Sequence, residues 1–173
     1  MEQYLEFLID VLKNFDKTTF YEFLGKLKKH TRRIFIFGNG GSAATASHFT
    51  VDLNKGLGKR AICLNDNIPI MTACANDVGY EYVFVKQLET LLDGRDIVIG
   101  ISGSGNSENV IRAIEYANAK GCLTVGFTGF GGGVVGGIVD ININVAVKDM
   151  QIVEDIHLIL THIIYKCLKE GKY

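Results

Sequence analysis

Proline is almost missing from this chain: Pro69 is the one proline in 173 residues. Also missing are a block of basic residues, a cysteine pair at metal or redox spacing, and any apolar run near the roughly 20 residues of a membrane span. With 18 Lys and Arg against 19 Asp and Glu the net charge is -1. That leaves no electrostatic footprint for nucleic acid, and neither nucleic acid nor a membrane is expected as a partner. Cys63, Cys74, Cys122 and Cys167 lie far apart, which reads as buried free thiols in a reducing cytoplasm. Met1-Glu2-Gln3-Tyr4 resembles neither a signal nor a transit peptide. The expectation is a cytoplasmic globular protein, one folding unit over 1–173 that buries roughly 70% of its unfolded surface.

Glycine is what the chain has in excess, with 20 residues. They cluster at turns without a period, which excludes collagen-like and low-complexity readings and marks places of close backbone approach. Around them, segments of helical and strand pattern alternate. Leu5, Leu8, Ile9 and Leu12, then Phe20, Phe23, Leu24 and Leu27, recur at helical spacing, so 1–30 is expected as an N-terminal helical segment. From residue 31 on, strands are expected at 32–37, 60–64, 97–101, 123–127 and 141–147. Helices are expected at 42–53, from Pro69, at 80–92, 107–120 and 151–169, with a loop at 129–137. Near-continuous apolar strands alternating with helices predict an α/β fold: a three-layer αβα sandwich on a doubly wound five-stranded parallel sheet. Ligands bind such sheets outside the carboxyl ends of the strands.

At two of those ends the sequence repeats itself. Ile34-Phe35-Ile36-Phe37 runs into Gly38-Asn39-Gly40-Gly41-Ser42, and Ile97-Val98-Ile99-Gly100-Ile101 runs into Ser102-Gly103-Ser104-Gly105-Asn106-Ser107. A strand that delivers hydroxyls and open backbone N–H groups to a helix N-terminus builds an anion site. Three serines in six residues exceed what a helix cap needs, so a phosphate monoester is the expected ligand. Neither turn matches the dinucleotide or P-loop spacing, so no nucleotide cofactor is expected.

Titratable groups supply the other half of the reading. His48 and Asp52 stand four residues apart, on one face of a helix. Taken alone they read as a surface pair. The last helix adds Glu154, His157 and His162 among aliphatic residues. Two carboxylates and two histidines serve as acid and base or ligate a divalent metal. Glu154 and His162 are about 12 Å apart along a straight helix, so one ion is not expected to take both from one chain. His157 is read as structural, paired with Glu154 or Thr161 on its own helix. Asn76-Asp77 and Asn65-Asp66-Asn67 are turn formers by default, although Asp77 is also placed to accept bonds from sugar hydroxyls.

In order along the chain, Gly38–Ser42, His48-Phe49, Ala75-Asn76-Asp77, Ser102–Ser107, Thr128-Gly129 and Glu154–His162 resemble the sugar isomerase (SIS) domain family, and within it the phosphoheptose (sedoheptulose 7-phosphate) isomerases. The resemblance covers nearly the whole chain. It implies a homotetramer with active sites between subunits, and conversion of a ketose phosphate to an aldose phosphate through an enediol, feeding heptose synthesis for lipopolysaccharide-type envelopes. It implies that Ser102, Ser104 and Ser107 hold the phosphate, with Asn39, Gly40, Ser42, Asp77, Gly103 and Glu154 completing the substrate contacts. Asp52 and His162 would move protons between C1, C2 and their oxygens. Some members bind zinc at the positions matching His48, Asp52, Glu154 and His162, which implies one ion per active site. Asp52 stands where the family usually has glutamate, Glu154 where glutamine is common, Gly103 for a threonine, and Gln151 and Gly131 for aspartates. Relatives that have become sugar-phosphate sensors, or regulators that bind the replication initiator, define the competing non-catalytic reading.

Overall fold

The computed structural model describes residues 1–171. Two helices open the chain, α1 (Glu2–Asn14) and α2 (Lys17–Lys29). They part at Asp16, whose carboxylate accepts from the Thr18 N–H at 2.9 Å and caps α2. Then follow β1 (Arg33–Gly38), α3 (Gly41–Val51), β2 (Arg60–Cys63), α4 (Ile68–Asp77) and α5 (Val85–Leu91). The chain finishes with β3 (Ile97–Ser102), α6 (Glu108–Ala119), β4 (Leu123–Gly129), α7 (Gly133–Ile138), β5 (Ile141–Val145) and α8 (Met150–Glu170). All strands run parallel, in the order β2-β1-β3-β4-β5.

The doubly wound α/β sandwich is therefore the fold. Alternation along β1 explains its two cores. Ile34 and Ile36 join Phe23, Leu24 and Leu27 of α2, Phe49 of α3 and Ile156 of α8 on one face. Phe35 and Phe37 join Leu88 of α5 and Val110 and Ile114 of α6 on the other. Burying the three α2 side chains contributes about 1.5–3 kcal/mol each, which ties the N-terminal segment to the sheet. Lys59 adds a clasp: its Nζ donates to the carbonyls of Leu27, Lys28 and His30 at 2.9, 3.1 and 2.7 Å, closing the end of α2. Helix α1 has no buried residue. No helix among the described residues is long and apolar enough to cross a membrane.

The structure corrects three local expectations. Residues 129–137 are not all loop: α7 forms there because its N–H groups find acceptors in the serine turn. The 80–92 segment is a 3-10 turn at Tyr80–Tyr82 followed by α5. Helix α3 starts after Gly40, whose φ of +54° redirects the chain, and Ser42 is buried. All four cysteines are free, but only Cys63 and Cys122 are buried.

Winding reverses between β1 and β3, which send their chains to opposite sides of the sheet. At such a switch point the strand ends leave a crevice. Gly38 pairs with Ile101 in register, so both glycine-rich turns open into that crevice.

Candidate active site

In the serine turn, Ser102 Oγ donates to Ser107 Oγ at 3.2 Å and the Asn106 N–H donates to Ser104 Oγ at 3.2 Å. The Ser102 and Ser107 hydroxyls thus meet, with Ser104 in the same turn, just ahead of the N-terminus of α6, where the helix dipole favours an anion. Gly103 has Met150 Sδ against the place a Cβ would take, with Val153 behind. The methionine fills the room that a threonine side chain would need.

The first turn is pressed on the second. A Cβ on Gly38 would stand 2.7 Å from Ile101 O and 2.8 Å from Ser42 Cβ, so only glycine fits. Asn65 brackets Gly38, accepting from its N–H at 3.2 Å and donating to its carbonyl at 2.9 Å. Asn39 and Asn109 exchange amide bonds, each 2.9 Å, and Tyr80 OH donates to Asn39 Oδ1 at 2.9 Å. With its oxygen doubly engaged, Asn39 keeps one N–H for a ligand. A cavity of about 440 Å³ opens here, lined by Asn39, Tyr80, Ser107, Asn109 and Arg112 among others. The roles of Asn109, Tyr80 and Asn65 were missed in the sequence. Asn65 and Asn109 stand in polar segments that mark turns and caps, and nothing local reveals partners 27 and 70 residues away.

Ser42 is buried beside Gly38. Asp77 is exposed at the end of α4 and its carboxylate takes the Asn76 amide at 2.7 Å; no hydrogen bond joins it to either turn among the described residues.

The acid–base groups gather elsewhere. His48 on α3 and Asp52, first residue of a π-turn at Asp52–Gly56, face His162 on α8. His48 Nε2 and His162 Nε2 are 2.9 Å apart, and His48 Nε2 is 3.6 Å from Asp52 Oδ2. The hydrogen bond needs a proton on one imidazole Nε2 and a lone pair on the other. Asp52 Oδ2 is buried and has no hydrogen-bond partner. One ligand atom from each of the three residues falls within 4.8 Å of the other two. Zinc held at 2.0–2.1 Å by tetrahedral ligands sets them about 3.3 Å apart, so this donor set fits a divalent cation.

Glu154 is not in that cluster. Its carboxylate lies against Gly41 at the N-terminus of α3, where the positive end of the helix suits a negative charge. Eight residues of α8 separate it from His162, as the helix arithmetic requires. A cavity of about 310 Å³, lined by Gly41, Thr45, His48, Glu154 and Asp155 among others, borders both Glu154 and His48.

His157 is neither acid nor base here. Its partner lies on another element, not on its own helix as expected: Nε2–H donates to Thr128 O at 3.0 Å. Burial pushes its pKa down to about 4, and Nδ1 has no partner.

The SIS domain profile matches residues 21–129. This chain belongs to the SIS domain family. It is 41% identical over 143 residues to a probable phosphoheptose isomerase of Thermoplasma acidophilum, covering 80% of this chain and 79% of that one. It is 37% identical over 150 residues to the phosphoheptose isomerase of Geobacter metallireducens, covering 84% and 79%. The solved phosphoheptose isomerase of Neisseria gonorrhoeae superposes with a TM-score of 0.90 at 28% identity, over 98% of this chain and 96% of that one.

Proposed function

We propose that this SIS-domain chain is an aldose–ketose isomerase that converts sedoheptulose 7-phosphate to D-glycero-D-manno-heptose 7-phosphate through an enediol. The observation that carries the proposal is the convergence of Asp52, His48 and His162, with a buried Asp52 oxygen left unpartnered. A purely structural cluster would satisfy that oxygen, since leaving it bare costs about 1–3 kcal/mol or more. The names of its relatives support the same reading.

The phosphate sits on the serine turn, bound by Ser102, Ser104 and Ser107. Asp52, with its free lone pair, takes the proton from C1 of the ketose and returns it to C2. His162 moves the hydroxyl proton between O1 and O2. Charge and mass balance, because the two protons only change places. His48, Asp52 and His162 would hold zinc, one ion per active site. When bound, the ion supplies a Lewis acid for the substrate oxygens. Asn39, through its one free N–H, and the backbone at Gly40 and Gly103 face the sugar. Ser42, Glu154 and Asp77 complete the proposed contact set.

His48 lies seven residues beyond Gly41, about 10 Å along α3, and that distance supports active sites shared between subunits of a homotetramer. Leu5, Phe7 and Ile9 of α1 and Ile68 of α4 are 47%, 43%, 49% and 67% exposed in the single chain, which suits burial against other copies. A cytoplasmic location and the whole of 1–173 working as one SIS unit belong to the same reading.

The test is an NMR assay of sedoheptulose 7-phosphate and shorter ketose phosphates, with added zinc and with chelator. A new aldose anomeric signal establishes the isomerase, and its loss in chelator establishes the metal. Tight ligand binding without any conversion overturns the proposal in favour of a sensor or regulator.

A further inference from the structure

Four successive carbonyl oxygens of the serine turn are each occupied by a donor from this chain. Ser102 O accepts from the Gly105 N–H, Gly103 O from the Gly129 N–H and Gly105 O from the Val135 N–H, all at 2.9 Å. Ser104 O accepts from Asn106 Nδ2 at 3.0 Å. Two peptide N–H groups of the turn, those of Gly105 and Asn106, are spent inside it on Ser102 O and Ser104 Oγ. With all four carbonyls tied down, the hydroxyls and the remaining N–H groups of Gly103 and Ser104 are what the turn offers. The turn therefore meets a ligand with donors, as an anion site must.

Two of these bonds come from the backbone at Gly129 and Val135. That segment approaches so closely that a Cβ on Gly105 would strike Gly132 O, and one on Gly133 would stand 2.6 Å from Ser104 O. Asn106 is the one side chain in the set. Its Nδ2 holds the Ser104 carbonyl, and its Oδ1 accepts from the Val134 N–H in the first turn of α7 at 3.1 Å. Its own N–H occupies a lone pair of Ser104 Oγ, which leaves the Ser104 O–H free to donate.

We infer that Asn106 is a positioning residue for the phosphate: it fixes the Ser104 peptide and hydroxyl to α7, so that the turn is set for an anion before substrate arrives. The inference rests on the anion-site reading of the serine turn. Preorganised donors raise affinity because ordering them costs nothing at the moment of binding. Asn106 need not touch the phosphate to do this.

The test measures inorganic phosphate binding by calorimetry alongside turnover and melting temperature, on wild type, Asn106→Ala and Asn106→Asp. In Asn106→Ala the phosphate Kd and the KM each rise about tenfold, equal to about 1.4 kcal/mol. At the same time kcat falls no more than about twofold and the melting temperature moves by no more than about 4 °C. Asn106→Asp is isosteric and keeps the Val134 contact but opposes an oxygen to Ser104 O. It folds and binds phosphate more weakly than Asn106→Ala. A Kd unchanged in Asn106→Asp, or a fall in kcat with KM unchanged in Asn106→Ala, overturns the inference alone. A wild type that does not bind phosphate overturns the anion-site reading and this inference with it.

Discussion

At the N-terminal end of α3, the two glycine-rich turns have their backbone acceptors matched: Asn65 holds Gly38 from both sides, and donors stand behind each carbonyl from Ser102 to Gly105. At the other end, Asp52 keeps a buried oxygen with no partner, and two imidazoles share one hydrogen bond. The difference separates two tasks. A phosphate is the same anion throughout a reaction, so its site is best built from backbone that does not move. The sugar carbonyl changes its charge and protonation, so its site is built from side chains whose valences the protein leaves open for substrate or cation.

The largest expected effect tests that separation directly. His162→Ala and Asp52→Asn each lower kcat by about 10²–10⁴-fold, while the Kd for inorganic phosphate stays within about twofold. Steady-state turnover and calorimetry on the same preparations check it. Loss of phosphate affinity in either variant would show that the two ends of α3 form one site rather than two.

The matched end was the more legible one in the sequence. An apolar strand followed by Gly38–Ser42 or Ser102–Ser107 is a local pattern, and strand order alone brings both turns to the switch point. His48 and Asp52 were legible as a pair through helical spacing. The separation of Glu154 from His162 follows from the rise per residue, so the expected four-residue metal set divides into three plus one. What was not legible depends on distant partners. His157 finds Thr128 O, 29 residues away, where helix periodicity offered only Glu154 and Thr161. Helix α7 escaped because its glycines argue against helix; the acceptors that stabilise its first turn lie on Asn106 and Gly105.

His157 is where the matched end is vulnerable, since the carbonyl it holds precedes Gly129 and the bond to Gly103. The unfolded chain protonates His157 below about 6.5, the native protein only near 4. Between those values the unfolded state binds more protons, so stability falls as pH drops, by about 1.4 kcal/mol per unit and roughly 3 kcal/mol in all. Above 6.5 this contribution is complete. Urea unfolding of wild type and His157→Gln from pH 8 to 4 checks it: the variant has the flatter profile. Parallel profiles would assign the acid loss to other groups.

Gly103→Thr probes how tightly the turn is backed. The new side chain meets Met150 Sδ and Val153, and overpacking of this kind costs about 1–3 kcal/mol. Because Met150 ends in a flexible thioether, the double variant Gly103→Thr/Met150→Ala recovers most of that cost in a thermal-unfolding cycle. A cycle without coupling would mean that the turn, not Met150, gives way.

Tyr80→Phe is the smallest perturbation and tests the edge of the matched end. Tyr80 is 54% exposed, and its hydroxyl supplies the second of two donors on Asn39 Oδ1; the exchange with Asn109 survives its removal. One exposed hydrogen bond contributes about 0.5–1.5 kcal/mol at most, so stability changes by less than about 1 kcal/mol and KM by about two- to threefold, with kcat unchanged. The lone pair released on Asn39 Oδ1 can then accept from a sugar hydroxyl, which wild type does not allow. Competition by hydroxyl-deleted sugar phosphates detects this as a preference that appears only in the variant. A large fall in kcat would instead place the Tyr80 hydroxyl among the groups that move protons, and the clean division between a matched end and an open end of α3 would fail.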